Sequence, residues 1–449
     1  MIKKIHLTTL LAVLFLTLGS SSFAQGGELS IGQKVKIKKQ LKEGRNLVYA
    51  QDYRCAYTIF KKILSIDSEN AEANFRSGQC LAAMGKPKLG KKYSLKALSI
   101  DSAVNDEVYF VLGESYHRLG ELENAKKYYN VFKSKTKSKT WEDFEVDRLI
   151  AQCDYAKLMM ENPVDVTITN MGSSINTFNP EYSASISANG KVLVFTSRRA
   201  DTKGGQVDEQ SDNLYFEDIY ISLWNDTTKE WSKSKPVEGS INTERHDAVL
   251  SISPDGRSIY VYKNVLGETK SGDIYSARAG KENKFGTPKP IDEGRNVNSS
   301  YFEGSASVTA DEQVIYFVSD RPGGNGQADI YTAKRQGKKW SKPVNVGDSI
   351  NSDGDEKGVF IHPNGQIMFF VSNGHNSLGS YDVFVSRRVD GNWTKAENLG
   401  YPINTVGEER TFSITADGTT AYISAEYDNS KGGSDIYVID LTKLEILKK

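Results

Sequence analysis

Apolar residues recur along this chain with two different periods. Over residues 37–139 they follow helical spacing in units of 34, and residues 37–70, 71–104 and 106–139 align with one another. The first unit places Gly44, Leu47, Ala56, Phe60 and Ile63. The second places Gly78, Leu81, Gly90, Ser94 and Ala97 at the same positions. The third places Leu112, Gly113, Tyr116, Gly120, Ala125, Tyr129 and Phe132 there, after one inserted residue, Asn105. The pattern predicts three helical hairpins. Small residues lie where two helices cross and let the backbones approach, and large ones fill the gaps between hairpins. One such hairpin cannot bury its apolar face alone, so about three must stack. A further amphipathic helix is predicted over Trp141–Met160, as a cap that couples the array to the next domain.

At Asn162-Pro163 the helical spacing stops, and short alternating runs separated by glycine turns begin. An acidic residue is followed nine positions later by a turn residue in five pairs: Glu181/Gly190, Asp247/Gly256, Glu303/Glu312, Glu356/Gly365 and Glu409/Gly418. A second apolar run follows each pair. A third run then opens Asp218-Ile219-Tyr220, Asp273-Ile274-Tyr275, Asp329-Ile330-Tyr331, Asp382-Val383-Phe384 and Asp435-Ile436-Tyr437. A fourth opens on Trp231, Phe285, Trp340 or Trp393 and ends in an Ile-Asn-Thr-like step such as Ile241-Asn242-Thr243. Four strands per unit predicts propeller blades. The first three strands occur five times, but only four fourth strands follow them. The missing one stands at the front, over 164–177, ending Ser174-Ile175-Asn176-Thr177. The expected fold is therefore an α-solenoid followed by a five-bladed β-propeller, closed when the strand at 164–177 completes the last blade and removes its free edge.

The first residues change the picture of where this happens. Lys3 and Lys4 precede an apolar stretch from Ile5 to Leu18, and Ser22-Phe23-Ala24 fits a small-x-small cleavage step. Residues 1–24 thus read as a secretory leader, in preference to an uncleaved anchor for which the apolar run is short. The expected division is leader 1–24, extension 25–36, three repeats 37–139, capping helix 140–162 and propeller 163–449. Cys55, Cys80 and Cys153 all fall in the helical half, and their odd number leaves at least one unpaired. Their expected role is small buried packing. Fifty-seven basic residues balance 57 acidic ones, which gives no overall field favouring nucleic acid or an anionic membrane.

The 34-residue unit resembles the tetratricopeptide repeat. The Ser-Pro-Asp-Gly, Ser-Asp-Arg and Asp-Ile-Tyr elements resemble PD40 (WD40-like, TolB-like) propeller repeats. Their order in the chain is similar to that of the TPR–PD40 envelope proteins of Bacteroidota, some of which carry an OmpA-like peptidoglycan-binding domain and serve type IX secretion. The resemblance implies a periplasmic scaffold or adaptor, peripheral to the outer membrane and attached to envelope or outer-membrane proteins. The chain ends at Lys449 without an OmpA-like domain and has no lipobox cysteine, so direct anchoring to peptidoglycan or membrane is not carried over.

Candidate binding residues follow from the blade layout. The loops between second and third strands vary in length and share one face, and variable loops on a rigid scaffold are where binding is usually built. Glu181, Asp247, Glu303, Glu356 and Glu409 open the innermost strands on that face. They read either as a ring for a cationic partner segment or a metal ion, or as acceptors that hold blade register. Recurrence once per blade favours the second reading. Arg198, Arg199, Arg321 and His375 start the loops, to pair with those acids or with a partner carboxylate. In the helical array, Lys92, Tyr109 and Tyr116 are the expected groove residues, with rigid docking as the alternative role of the array. Calcium ligands are the rival reading of the acids Asp201, Asp208, Glu209, Asp212, Glu217 and Asp218, and of Asp353-Gly354-Asp355-Glu356. Neither cluster has EF-hand spacing, so solvated loop charge is expected and no cofactor is assigned. No Gly-x-Ser-x-Gly, Gly-Lys-Ser/Thr or His-Glu-x-x-His motif occurs. The expectation is a non-enzymatic interaction protein. A glycan- or peptide-processing enzyme using paired ring acids, or a small-ligand binder, is the alternative.

Overall fold

The computed structural model describes residues 29–209, 212–264, 272–280, 284–444 and 446–447. The expected leader, 1–24, lies outside the described residues. So does most of the second-to-third-strand loop 264–272 of the second blade.

Helix α1 (Ile31–Tyr49) starts six residues before the first aligned unit. It opens on a capping box in which the Ser30 hydroxyl accepts from the Gln33 amide and the Gln33 side chain accepts from the Ser30 amide. The helices α2 (Tyr53–Leu64), α3 (Ala71–Ala83), α4 (Pro87–Ile100), α5 (Glu107–His117) and α6 (Leu122–Lys135) complete three hairpins. Their crossings need small residues. A Cβ added at Gly44, Gly78 or Gly113 would stand 2.5, 2.4 or 2.5 Å from Phe60, Ser94 or Tyr129 of the paired helix. The single helix expected over Trp141–Met160 is in fact two, α7 (Ser138–Asp143) and α8 (Val146–Glu161). Between them Glu145 adopts a left-handed backbone (φ 50°). The break lets Phe144 turn into the aromatic cluster of the third hairpin, edge-on to Phe110 and Phe132 at 4.6 and 5.3 Å. All three cysteines are free. Cys80 and Cys153 are buried as expected, but Cys55 is exposed near the start of α2, which corrects its packing role.

The second half is a ring of five antiparallel sheets. Each blade runs outward from an inner strand: in the first, Glu181–Ile186, then Val192–Ser197, then Asp218–Asn225. The outer strands are shorter than the pattern suggested. In the first blade only Glu230–Trp231 and Lys235–Pro236 pair with the third strand. Closure agrees with the count. Thr167–Asn170 pairs antiparallel with Asp435–Asp440 of the last blade, in register Thr167↔Asp440 to Asn170↔Tyr437. Neighbouring inner strands are joined through serines. The amides of Val359 and Ile361 donate to the hydroxyls of Ser305 and Ser307 at 3.1 and 3.0 Å.

The Ile-Asn-Thr step explains how blades are held. Ile175, Ile241, Val297, Ile350 and Ile403 are fully buried. The asparagine after each brackets one residue of a third strand. Its Oδ1 accepts from that residue's amide and its Nδ2 donates to the same residue's carbonyl, at 2.7–3.0 Å throughout. The bracketed residues are Ile436, Ile219, Ile274, Ile330 and Val383 for Asn176, Asn242, Asn298, Asn351 and Asn404. Asn176 therefore ties the front of the propeller to its last blade. Replacing Asn176 by alanine should cost about 1–3 kcal/mol in urea unfolding, because a buried amide and a buried carbonyl lose their partner. Asn404→Ala should cost a similar amount. Limited proteolysis should cut within 164–177 faster in the Asn176 variant alone, since only there does the clamp hold the closing strand.

Candidate functional site

Each ring acid is gripped by the residue four positions before it. The hydroxyls of Thr177, Thr243, Ser299, Ser352 and Thr405 donate to Glu181, Asp247, Glu303, Glu356 and Glu409 at 2.7–2.8 Å. The amides of the same residues donate to those carboxylates as well. All five acids are 0% exposed. In three blades a cation completes the site: Arg199 on Glu181 at 3.0 Å, Arg321 on Glu303 at 2.9 Å, and Lys263 on Asp247. Arg199 is itself closed in, donating to Ile175 O, Ser197 and Ser234. Arg321 spends further donors on Asn296 O and Val297 O. The hydrogen bonds thus run along the register-holding reading.

The fourth and fifth blades lack the cation among the described residues. Glu356 accepts from the Ser352 and Ser372 hydroxyls, and burial pushes its carboxyl up to about 8. Glu409 is raised well above the carboxylate range by burial and then by Asp382 beside it. Asp382 is pushed up to about 7, by burial first.

Asp382 has a second task. Its carboxylate accepts from the Leu378 and Gly379 amides at 2.7 and 3.3 Å and from Asn398 at 2.7 Å, shaping the loop that precedes it. That loop is what the helical array grips. Leu378 is fully buried in the apolar cluster of Tyr129, Phe132, Val146 and Cys153, and Val406 and Tyr401 of the propeller join it. His117 Nε2 meets Leu378 O at 2.9 Å. A carbonyl can only accept, so this nitrogen carries the proton. Burial lowers the His117 pKa, which keeps the ring neutral. Gln152 donates to Gly379 O at 3.2 Å and Arg148 to Asn373 O at 3.3 Å. Arg54, on α2, donates to Asp212 O in the loop of the first blade. The array is therefore seated on the loop face itself.

Most of the remaining expected residues make internal contacts. Arg198 is held by Asp212 and Tyr215 O. His375 Nε2 lies 2.7 Å from Ile350 O, and its ring packs against Phe370 and Phe384. Tyr109 and Tyr116 are half-buried, stacked on Tyr128 of α6 at 6.5 and 5.3 Å, with Lys91 of α4 over Tyr116 at 4.8 Å. They line the seam between α5 and α6. Lys92 is exposed on α4.

What the mouth of the channel presents is a cavity of about 580 Å³, lined by Tyr182, Phe302, Tyr381, Asp355, Lys357 and Arg410 among others. Lys357 and Arg410 share Glu408 at 2.8 and 3.3 Å, and Lys357 lies 4.2 Å over the Tyr381 ring. One buried oxygen of Asp355, Oδ1, has no donor among the described residues. Sequence reasoning passed over these residues because it looked for repetition. The positions directly after the ring acids are Tyr182, Ala248, Gly304, Lys357 and Arg410. They differ in every blade while the acids do not, and that variation is the signal.

The loop acids are dispersed onto protein donors. Asp201 accepts from Tyr220, Asp212 from Arg198, Glu217 from Tyr182 and His246, and Asp218 from the Lys203 amide. No group of three potential metal ligands occurs among the described residues.

One family model matches within the helical half. The tetratricopeptide repeat model matches residues 71–104 and 106–130. No curated protein matches the chain. Among solved structures, TolB from Acinetobacter baumannii is 16% identical with a TM-score of 0.35, over 58% of this chain and 54% of TolB. The chain thus matches about half of TolB's length. The Yersinia enterocolitica type III secretion chaperone SycD, in complex with a peptide of the translocator YopD, is 17% identical with a TM-score of 0.25, over 27% of this chain and 95% of SycD. The TPR domain of P58(IPK) is 20% identical with a TM-score of 0.25, over 28% of this chain and 34% of that one.

The buried acids make stability depend on pH. A carboxyl whose pKa is raised on folding favours the folded state below its unfolded pKa and loses that advantage as pH climbs through the folded value. Melting temperature should therefore fall between about pH 5 and pH 8. Glu356→Gln should flatten that fall by gaining stability at pH 8 with no gain at pH 5, whereas Glu356→Ala should lose stability at both. Chelation with EDTA should leave the melting temperature unchanged, because Arg198, Tyr182 and His246 already occupy Asp212 and Glu217 in the first loop and no group of three potential ligands occurs among the described residues.

Proposed function

We propose that this chain is a non-enzymatic periplasmic scaffold that holds an extended polypeptide segment at the channel mouth, beside its own helical array, within an outer-membrane or secretion-associated envelope assembly. The observation that carries this reading is the seating of the array on the loop face through Leu378. The array covers part of the loop face, contacts within the propeller hold the ring acids and Arg198, Arg199, Arg321 and His375, and the mouth remains open with side chains that differ from blade to blade. Tyr182, Phe302 and Tyr381 offer apolar faces. Lys357 and Arg410 offer donors for carbonyls and acidic side chains. The orphaned Asp355 oxygen offers an acceptor for a backbone amide. An extended segment supplies all three partners along one strand. The leader-like residues 1–24 support export, and the paired modules support a scaffold role, since a second linked contact raises effective concentration.

The test is capture of polypeptides from envelope extracts. Wild type should retain a specific polypeptide that the Phe302→Ala/Tyr381→Ala double variant loses at unchanged melting temperature. Retention by the double variant would overturn the reading. So would turnover of cell-wall glycans by the purified chain that Glu356→Gln abolishes, which would establish the enzymatic alternative.

A further inference from the structure

The balance of charge over the whole chain conceals a division. Residues 31–100 hold fifteen lysines and arginines against five acids, whereas residues 163–449 hold 31 basic residues against 39 acidic ones. The cationic end of the molecule is α1, with Lys34, Lys36, Lys38, Lys39, Lys42 and Arg45 against the single acid Glu43. It is the first helix of the described stack, so one side meets α2 and α3 and no described helix covers the other.

The composition of that outer side is specific. Ile31, Val35, Lys38, Lys42 and Tyr49 succeed one another at spacings of four, three, four and seven, which places them on one stripe along the helix, while Arg45 at its edge turns to Glu72 of α3. The stripe lies opposite the buried Ile37 and Gly44. Ile31 is 83% exposed, Val35 65% and Tyr49 93%. Aliphatic side chains left in water between lysines gain nothing from the fold itself. They do gain at a surface where negative charge and an apolar layer lie together, because lysine stems reach outward to the charges while short aliphatics dip inward. A helix of 19 residues is about 28 Å of straight edge, which suits a plane.

We propose that the outer stripe of α1 docks the chain onto an anionic lipid surface, with the lysines on the headgroup phosphates and Ile31 and Val35 at the boundary with the acyl chains. The occupant is chosen by complementarity on two counts. An acidic protein segment would match the lysines but leaves the exposed aliphatics unexplained. A neutral membrane would match the aliphatics and repay none of the charge. The docking leaves the channel mouth, on the propeller, to its own partner.

Vesicle flotation of the purified chain tests this. The chain should float with phosphatidylcholine vesicles that contain phosphatidylglycerol and not with phosphatidylcholine alone, and high salt should release it. Lys38→Glu/Lys42→Glu should lower the bound fraction roughly tenfold or more. Ile31→Ser/Val35→Ser should weaken binding less and leave its salt dependence intact. All four positions are exposed, so both variants should keep the wild-type melting temperature. Equal flotation on neutral vesicles would overturn the proposal, as would binding to anionic vesicles that Lys38→Glu/Lys42→Glu does not reduce. Dissociation of a lipid-free oligomer by the same variant, seen in sedimentation, would also overturn it by assigning the stripe to a second copy's acidic propeller.

Discussion

One asparagine side chain per blade, bracketing both the amide and the carbonyl of a single residue, is the contact on which the propeller depends. The residue after that asparagine caps the acid that opens the next inner strand. Three consecutive residues therefore fill a core position, clamp one blade and start the next. This arrangement resolves a problem inherent in the ring. A crossover between blades carries backbone groups that no sheet satisfies, and buried groups without partners cost more than the bonds themselves return. The clamp satisfies them at a fixed spacing, which is why the same three residue types recur five times.

The clamp also accounts for the buried acids. At Glu181 and Glu303 burial raises the carboxyl pKa, and two donors from the crossover and a nearby arginine oppose that rise. Where the cation is missing, burial favours the protonated form, and Glu356, Glu409 and Asp382 all shift that way. Glu356 and Asp382 lie in the fourth blade, whose loop enters the array. Asp382 links the two features directly, since it is next to Glu409 and it shapes the loop whose leucine enters the array.

Seating the array on the propeller changes what each module offers. A helical stack alone would present its concave face along its whole length. Here its last hairpin and α8 are spent, through His117 and Gln152, on Leu378 and Gly379 of the propeller. Likewise the loop face of a bare propeller would present five variable loops, but those of the first and fourth blades touch the helices. The channel mouth and the outer side of α1 are among the surfaces that the modules leave uncovered.

The repeat periods, the blade number and the identity of the closing strand were legible in the residues alone. They come from local patterns: small residues at helix crossings, alternation along strands, turn residues at a fixed offset, and one orphan Ile-Asn-Thr step at residues 175–177. The break at Glu145 was not legible, because the apolar pattern runs through it and only the aromatic cluster of the third hairpin decides where Phe144 points. Nor was the burial of the ring acids, the docking of Leu378, or the role of the positions after the acids. Periodicity reports which residues share an element and a face. Which face meets which element, and so which charged groups are enclosed or left in water, is set by contacts between residues hundreds of positions apart, and only the folded molecule brings those together.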